Sequence, residues 1–219
     1  MASAAAKHVL ITGAAIRVGH DLALGLAKAG WDITIHYNTS KEEAEALAQE
    51  ISALGQTARL AQANLEIPEE VAQIIPTQGT PALTALIHNA SLFERDRDDP
   101  DGTRHRAVNV DAPLMLNKAF IAQLPQGATG TIIQFLDGTP IPEHMSHYAQ
   151  SRAAMEAMLP ALTKDYAPRA RLHALTLGPT LKNPRQSQQH FDALVAAAGE
   201  DQLTSTPTIL AAILGLLPD

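Results

Sequence analysis

The sequence has no cysteine in its 219 residues. Disulfides, thiolate metal sites and a cysteine nucleophile are therefore excluded. Aromatic side chains are scarce, at 4% with a single tryptophan, so few can serve a ligand site. Basic residues are in the minority, 16 Lys and Arg against 23 Asp and Glu, for a formal charge of −7. That balance argues against a nucleic-acid partner or an anionic membrane surface, while leaving room for a local anion site. Long apolar runs are also missing. The last apolar stretch, residues 209–217, is far short of the ~20 residues that cross a bilayer. Residues 1–7 are small and weakly polar, and the apolar stretch after them is broken by Thr12, Gly13 and Arg17, unlike a signal peptide. The expectation is a soluble, cytoplasmic protein. Its 46% hydrophobic content is too high for disorder and sufficient for the core of one large domain.

Short apolar runs alternate with longer amphipathic ones. Strands are expected over residues 8–12, 32–37, 57–62, 82–88, 131–135 and 171–177. Between them helical patterns run from the turn at Gly13 to near Gly30, from Ser40 to Leu54, over 68–75, over 103–124 and over 147–166. Two more follow, near 187–198 and 207–217. Ser40 and Glu43 have the spacing of a capping box. Residues 94–102 form a polar loop containing proline. Strands separated by helices predict an α/β protein, with a parallel sheet covered by helices on both faces. No repeat, low-complexity tract or linker divides the chain.

The first strand runs into Thr12-Gly13-Ala14-Ala15-Ile16-Arg17-Val18-Gly19 and opens a helix. Such a turn aims backbone N–H groups and the positive helix end at one point, which suits a pyrophosphate. Gly13 permits the tight turn and Gly19 lets the helix approach the sheet. The usual G-x-G-x-x-G fingerprint is not met, and glycine turns of this kind also occur without a nucleotide. At the end of the second strand, Tyr37-Asn38-Thr39-Ser40 carries no carboxylate of the kind that binds the ribose of NAD. A 2′-phosphate there would meet no repulsion and could take hydrogen bonds from Thr39, Ser40 and the helix N-terminus. NADP(H) is thus favoured over NAD(H). Ser40 also suits a plain N-cap, and the two roles are compatible.

These segments resemble the short-chain dehydrogenase/reductase family, whose turn reads T-G-x-x-x-G-x-G. Arg17 in place of the middle glycine is similar to the pteridine-reductase branch, where this arginine lies near the cofactor phosphates and the substrate. Further resemblances are His36-Tyr37-x-x-Ser40 and Asn89-Ala90-Ser91-x-Phe93. They imply that Asn89 and Ala90 pack on the cofactor, that Ser91 touches cofactor and pterin, and that Phe93 stacks on the pterin ring. Val18, Asn64 and Leu65 join the cofactor-binding set by the same resemblance, as does Pro179 in Gly178-Pro179-Thr180. Asn109 matches the helical asparagine that members use to position a water in a proton relay. A structural hydrogen bond is an equal reading of it.

The resemblance also locates the chemistry. Asp137, closing the fifth strand, stands where most members have serine and pteridine reductases have aspartate. Tyr148 resembles the catalytic tyrosine, and Arg152 replaces the lysine one helical turn later. Arginine keeps the charge, but its larger fork of donors does not deprotonate. A carboxylate at position 137 suits the N–H groups of a pterin better than a developing alkoxide. The substrate set implied is Arg17, Ser91, Phe93, Asp137 and Tyr148; the catalytic set is Asp137, Tyr148, Arg152 and Asn109. His144 and His147 have no evident third ligand, so no metal is expected. Residues 181–190, polar with Pro184, resemble a mobile substrate-binding loop.

The reading is a single-domain Rossmann-type doubly wound sheet over residues 1–219. It would use NADP(H) to reduce a C=N bond of a dihydropterin or related pteridine, with neither nucleic acid nor membrane as partner. Relatives run on into a further strand and a D-G-G segment, whereas this sequence ends at Leu217-Pro218-Asp219. Six strands are therefore expected, with the usual C-terminal strand missing, in a homodimer or homotetramer. Two alternatives stay open: a carbonyl or 3-oxoacyl reductase of the same family, and a catalytically degenerate nucleotide- or pterin-binding module, the latter because of Arg152.

Overall fold

A parallel sheet with helices on both sides buries its central strands on both faces, so those strands read as unbroken apolar runs. β1 (His8–Ile11) and β4 (Ala85–His88) are of this kind, with every residue buried. The computed structural model describes residues 7–75, 82–182, 187–199 and 202–218. Its sheet is completed by β2 (Asp32–Tyr37), β3 (Ala58–Gln62), β5 (Gly130–Asp137) and β6 (Ala170–Leu177). All pairings are parallel, in the order β3-β2-β1-β4-β5-β6. This is the expected six-stranded doubly wound sheet, and β4 is shorter than the run 82–88.

Alternation along each strand divides the core in two. Val9 and Ile11 of β1 pack with Ile33, Ile35, Ile87 and Ile133 against α1 (Arg17–Lys28), α2 (Lys41–Ala53) and α8 (Thr206–Leu216). Leu10, Leu86 and Ile132 face the other way. They meet α3 (Pro68–Ile74), α5 (Ala112–Gln123) and α6 (Ser146–Tyr166) through residues such as Val71, Leu116 and Phe120. α1 ends at a left-handed Gly30 (φ +88), where Trp31 N–H reaches back to the Leu26 carbonyl and the tryptophan is buried.

Two local expectations need correction. Ser40 does occupy the N-cap of α2, but its side chain makes no capping bond, so the box with Glu43 is not formed. Its backbone (φ −81, ψ 60) lies outside the extended conformation that aims a hydroxyl at the first helical N–H groups. The helix expected over 103–124 is also not uniform. α4 (Thr103–Arg106) passes through a π-helical turn, Ala107–Asp111, before α5. Pro113 has no N–H for the Asn109 carbonyl, so a regular α-helical bond is impossible there and the helix widens. A nine-residue helix, α7 (Gln188–Ala196), precedes α8. Among the described residues no helix is long and apolar enough to cross a membrane.

Candidate active site

All six strands point their carboxyl ends the same way, and chain order reverses between β1 and β4, where doubly wound sheets form a crevice. A cleft of about 1270 Å³ opens there. It brings together Arg17, Val18, Asn89, Ala90, Ser91, Phe93, Asp137, Tyr148, Arg152 and Pro179 from the predicted set.

The glycine turn is fixed from below. Gly13 N–H donates to His36 Nδ1 (3.0 Å), and the opposite ring nitrogen donates to the Ala63 carbonyl (3.1 Å). Both bonds together require a neutral imidazole, and burial holds the His36 pKa down at about 4. Asn89 Nδ2 donates to the carbonyls of Thr12 (2.9 Å) and Gly13 (3.0 Å), while Thr12 Oγ1 accepts from the N–H groups of Asn89 and Ala90. The Asn89 amide thus secures the turn as well as lining the cleft. A Cβ on Gly19 would overlap the Gly13 carbonyl oxygen and lie 2.7 Å from Asn89 Nδ2. Arg17 has φ +57, the left-handed conformation that glycine adopts without cost, and its guanidinium donates to the Leu181 carbonyl (3.3 Å). The first N–H groups of α1 have no partner within the helix and face this turn.

The predicted residues after β2 and β3 lie beside this cleft and do not line it. Asn38 and Thr39 are exposed and Ser40 is half-buried, with no carboxylate among residues 36–41. Tyr37 and Leu65 turn their side chains into the core. Asn64 Oδ1 is engaged by the Glu66 N–H (3.0 Å).

At the far side, Tyr148 is buried and donates from its hydroxyl to Asp137 Oδ2 (2.7 Å). The other carboxylate oxygen accepts from the Thr139 N–H (3.0 Å) and the Thr139 hydroxyl. Burial first, and the Asp137 charge second, push the Tyr148 pKa well above its ordinary value, with Arg152 opposing. Tyr148 is therefore protonated at neutral pH. Arg152 donates to the Phe135 carbonyl, and its buried Nε finds no hydrogen-bond partner among the described residues. Phe93 is 54% exposed and stands edge-on to Tyr148, with ring centroids 4.7 Å apart. Asn109, inside the π turn, is buried and fully used. Its Oδ1 accepts from Ser91 Oγ (3.2 Å) and Leu92 N–H (2.8 Å), and its Nδ2 donates to the Leu92 carbonyl and Ser151 Oγ, each at 3.0 Å. Asn109 shapes the segment carrying Ser91 and Phe93.

Sequence reasoning missed the supports behind these groups. Asp96 accepts from the Ser146 N–H (3.0 Å), the Ser146 hydroxyl (2.7 Å) and the His147 N–H (3.0 Å), so it caps the helix that carries Tyr148. Those bonds, the Ser146 hydroxyl foremost, hold its carboxyl down at about 2. His105, fully buried, meets Asp99 Oδ2 at 2.5 Å, and its Nε2 accepts from the Glu94 N–H (3.3 Å). Its ring lies 6.3 Å from that of Tyr148. The only sequence signal was the density of charge between Glu94 and His105. His144 lines the cleft, and His147 bonds the Pro100 carbonyl (3.2 Å). Residues 183–186 of the expected substrate loop, Pro184 included, lie outside the described residues, while Leu181, Phe191 and Leu194 line the cleft.

Comparison with known proteins bears on the family and the fold. The family profile described as short chain dehydrogenase matches residues 7–193. A short-chain dehydrogenase/reductase FrzI from Cladobotryum is 26% identical over 210 residues, covering 92% of this chain and 81% of its own. The 3-oxoacyl-[acyl-carrier-protein] reductase FabG of Aggregatibacter actinomycetemcomitans is 30% identical over 170 residues, covering 74% and 70%. Among solved structures, FolM alternative dihydrofolate reductase 1 from Brucella canis, complexed with NADP, superposes with a TM-score of 0.85 at 28% identity, over 96% of this chain and 87% of its own.

Proposed function

The chain belongs to the short chain dehydrogenase family of oxidoreductases, and on that footing we propose that it uses NADPH to reduce a C=N bond of a dihydropterin or related pteridine. The observation that carries this reading is the carboxylate of Asp137 hydrogen-bonded to the hydroxyl of Tyr148, 2.7 Å away, beneath the exposed ring of Phe93. A developing alkoxide would be repelled by that carboxylate, whereas the N–H groups of a pteridine would donate to it. The Thr139 hydroxyl beside this carboxylate is engaged by it and is not offered to a ketone. The likeness to FolM, named as a dihydrofolate reductase and complexed with NADP, supports both cofactor and substrate class.

The turn fits a dinucleotide: Gly19, where a Cβ would overlap the Gly13 carbonyl, lets α1 start hard against the turn, and Arg17 lines the cleft at the N-terminus of α1. Gly13, Arg17, Val18 and Gly19 would hold the pyrophosphate, and Asn38, Thr39 and Ser40 a 2′-phosphate. Tyr37, Asn64 and Leu65 would contribute through their backbone. Asn89, Ala90, Ser91 and Pro179 would line the nicotinamide half, with the unpartnered Nε of Arg152 facing the ribose in place of lysine. When bound, NADPH supplies the hydride. Phe93 and Ser91 orient the ring, Asp137 accepts its N–H, and Tyr148 delivers the proton to the nitrogen of the reduced bond. Such acid help contributes roughly 10²–10⁴-fold. Association as a homodimer or homotetramer through α5 and α6, in the cytoplasm, belongs to the same reading.

Following NADPH oxidation at 340 nm with dihydrobiopterin, dihydrofolate and a panel of 3-oxoacyl thioesters and ketones tests the assignment. Turnover confined to the ketones and thioesters would return it to the FabG-like alternative. An inactive wild type that gains turnover on Arg152→Lys would mark a degenerate site.

A further inference from the structure

Residues 94–99 read Glu94-Arg95-Asp96-Arg97-Asp98-Asp99, and the two signs of charge go different ways. Three of the four carboxylates are occupied by the protein itself. Glu94 accepts from Arg104 (2.6 Å), Asp96 holds the first turn of α6, and Asp99 is 2% exposed against His105. Asp98 lies on the surface, 3.6 Å from Arg97 Nε. Arg95 and Arg97 are exposed and both line the mouth of the cleft, on the segment that carries Phe93. The Arg95 side chain has no hydrogen-bond or ion-pair partner among the described residues.

Ordinarily two exposed arginines on a loop carry little meaning, because their side chains wander. Here the backbone beneath them is fastened at Glu94, Asp96 and Asp99, so both guanidinium groups start from fixed points. Glu94 and Asp98 border the cleft as well, but Glu94 is taken by Arg104, and Asp96 and Asp99 are spent on α6 and His105, which leaves Asp98 as the competing carboxylate. The cleft's other arginines are Arg17, itself exposed on the glycine turn, and Arg152, and among the described residues no lysine lines it. A chain of net charge −7 thus places its cleft-mouth cations as arginine, the side chain whose planar fork matches carboxylate and phosphate oxygens.

We propose that Arg95 and Arg97 form an anion subsite that binds a carboxylate or phosphate carried by the substrate beyond its reducible ring. This rests on the proposed function for the ring itself and narrows the substrate to a pteridine with an anionic tail. Asp98 competes with that tail for Arg97, so its removal strengthens binding.

The test compares two substrates with the same dihydropterin ring: dihydrofolate, whose tail carries two carboxylates, and dihydrobiopterin, which carries none. Arg95→Gln and Arg97→Gln should each raise KM for dihydrofolate about 5-fold with kcat unchanged, as loss of an exposed charge-assisted bond implies. KM for dihydrobiopterin should stay fixed, Asp98→Asn should lower KM for dihydrofolate, and high salt should erase these differences. Parallel changes for both substrates would overturn the subsite. A second measurement is independent of turnover. NADP-loaded protein is titrated calorimetrically with p-aminobenzoylglutamate, which has the carboxylate tail and no pteridine ring, and with tripolyphosphate. Binding that weakens in the Arg95→Gln/Arg97→Gln double variant supports the subsite even if neither pteridine is reduced, an outcome that sinks only the ring assignment. The anion bound more tightly identifies carboxylate or phosphate as the source. Equal binding by wild type and double variant refutes the subsite.

Discussion

Lowering the pH from 7 to 5 should remove about 4 kcal/mol of folding stability, through two histidines that the fold keeps uncharged. His36 and His88 are both buried, and burial holds each pKa at about 4, against 6.5 in an unfolded chain. Between those values the unfolded state binds the protons and the native state does not, so stability falls as pH falls. For one group of this kind the loss between pH 7 and 5 is about 2 kcal/mol, rising to about 3 once the pH is below 4. Two such losses consume much of the 5–15 kcal/mol that typically separates native from unfolded states. The imidazole of His173, whose pKa burial also lowers, acts in the same direction. Carboxylates do not blur the window: Asp96 titrates at about 2 and affects stability only at lower pH. Urea unfolding followed by circular dichroism at pH 7, 6 and 5 reads the slope. His88→Asn removes one of the two protons, so its loss over the same range should be about half that of the wild type. Equal slopes in variant and wild type, or a flat wild-type profile, would refute the reasoning. Below pH 5 the cofactor turn should loosen as well, since a protonated His36 cannot accept from Gly13 N–H.

Asp137→Asn and Tyr148→Phe should each reduce kcat by roughly 10²–10⁴-fold with little change in NADPH affinity, measured by steady-state kinetics and by quenching of cofactor fluorescence. Because the Tyr148 pKa is raised, wild type should oxidise no secondary alcohol with NADP at neutral pH; a robust reverse reaction would show that phenolate is available there. Gly19→Ala should destabilise the protein by about 1–3 kcal/mol in thermal melts and weaken NADPH binding, because the methyl group overlaps the Gly13 carbonyl. Arg17→Gly should do the opposite to stability, adding about 1 kcal/mol by relieving a left-handed residue, while still weakening NADPH.

Much of the fold could be read from the sequence because burial imposes period. The fully buried runs at 8–11 and 85–88, the alternation in Asp32–Tyr37 and the stripe of Val18, Leu22 and Leu26 each follow from one-dimensional spacing. The cleft residues were legible for another reason, since a recognisable turn, strand end and helix start mark them. Period does not report which face a flanking residue takes, so Tyr37 and Leu65 were found as neighbours of the cofactor site with their side chains in the core. Nor does it distinguish an α-helix from the π turn around Asn109, because the apolar positions satisfy both. The largest omission, the bonds from Asp96 to Ser146 and His147, joins residues fifty or more apart. Nothing local in either segment announces that pairing.

Those bonds have a practical meaning for anyone altering what the protein accepts. The proposed aromatic platform at Phe93 and the proposed proton donor at Tyr148 belong to separate segments of the chain, yet Asp96 and the Glu94–His105 contact bolt them into one part. A specificity graft that swaps the loop alone would leave α6 without its cap and shift the donor. The transplantable cassette is the loop through His105 together with Ser146 and His147, moved as a unit.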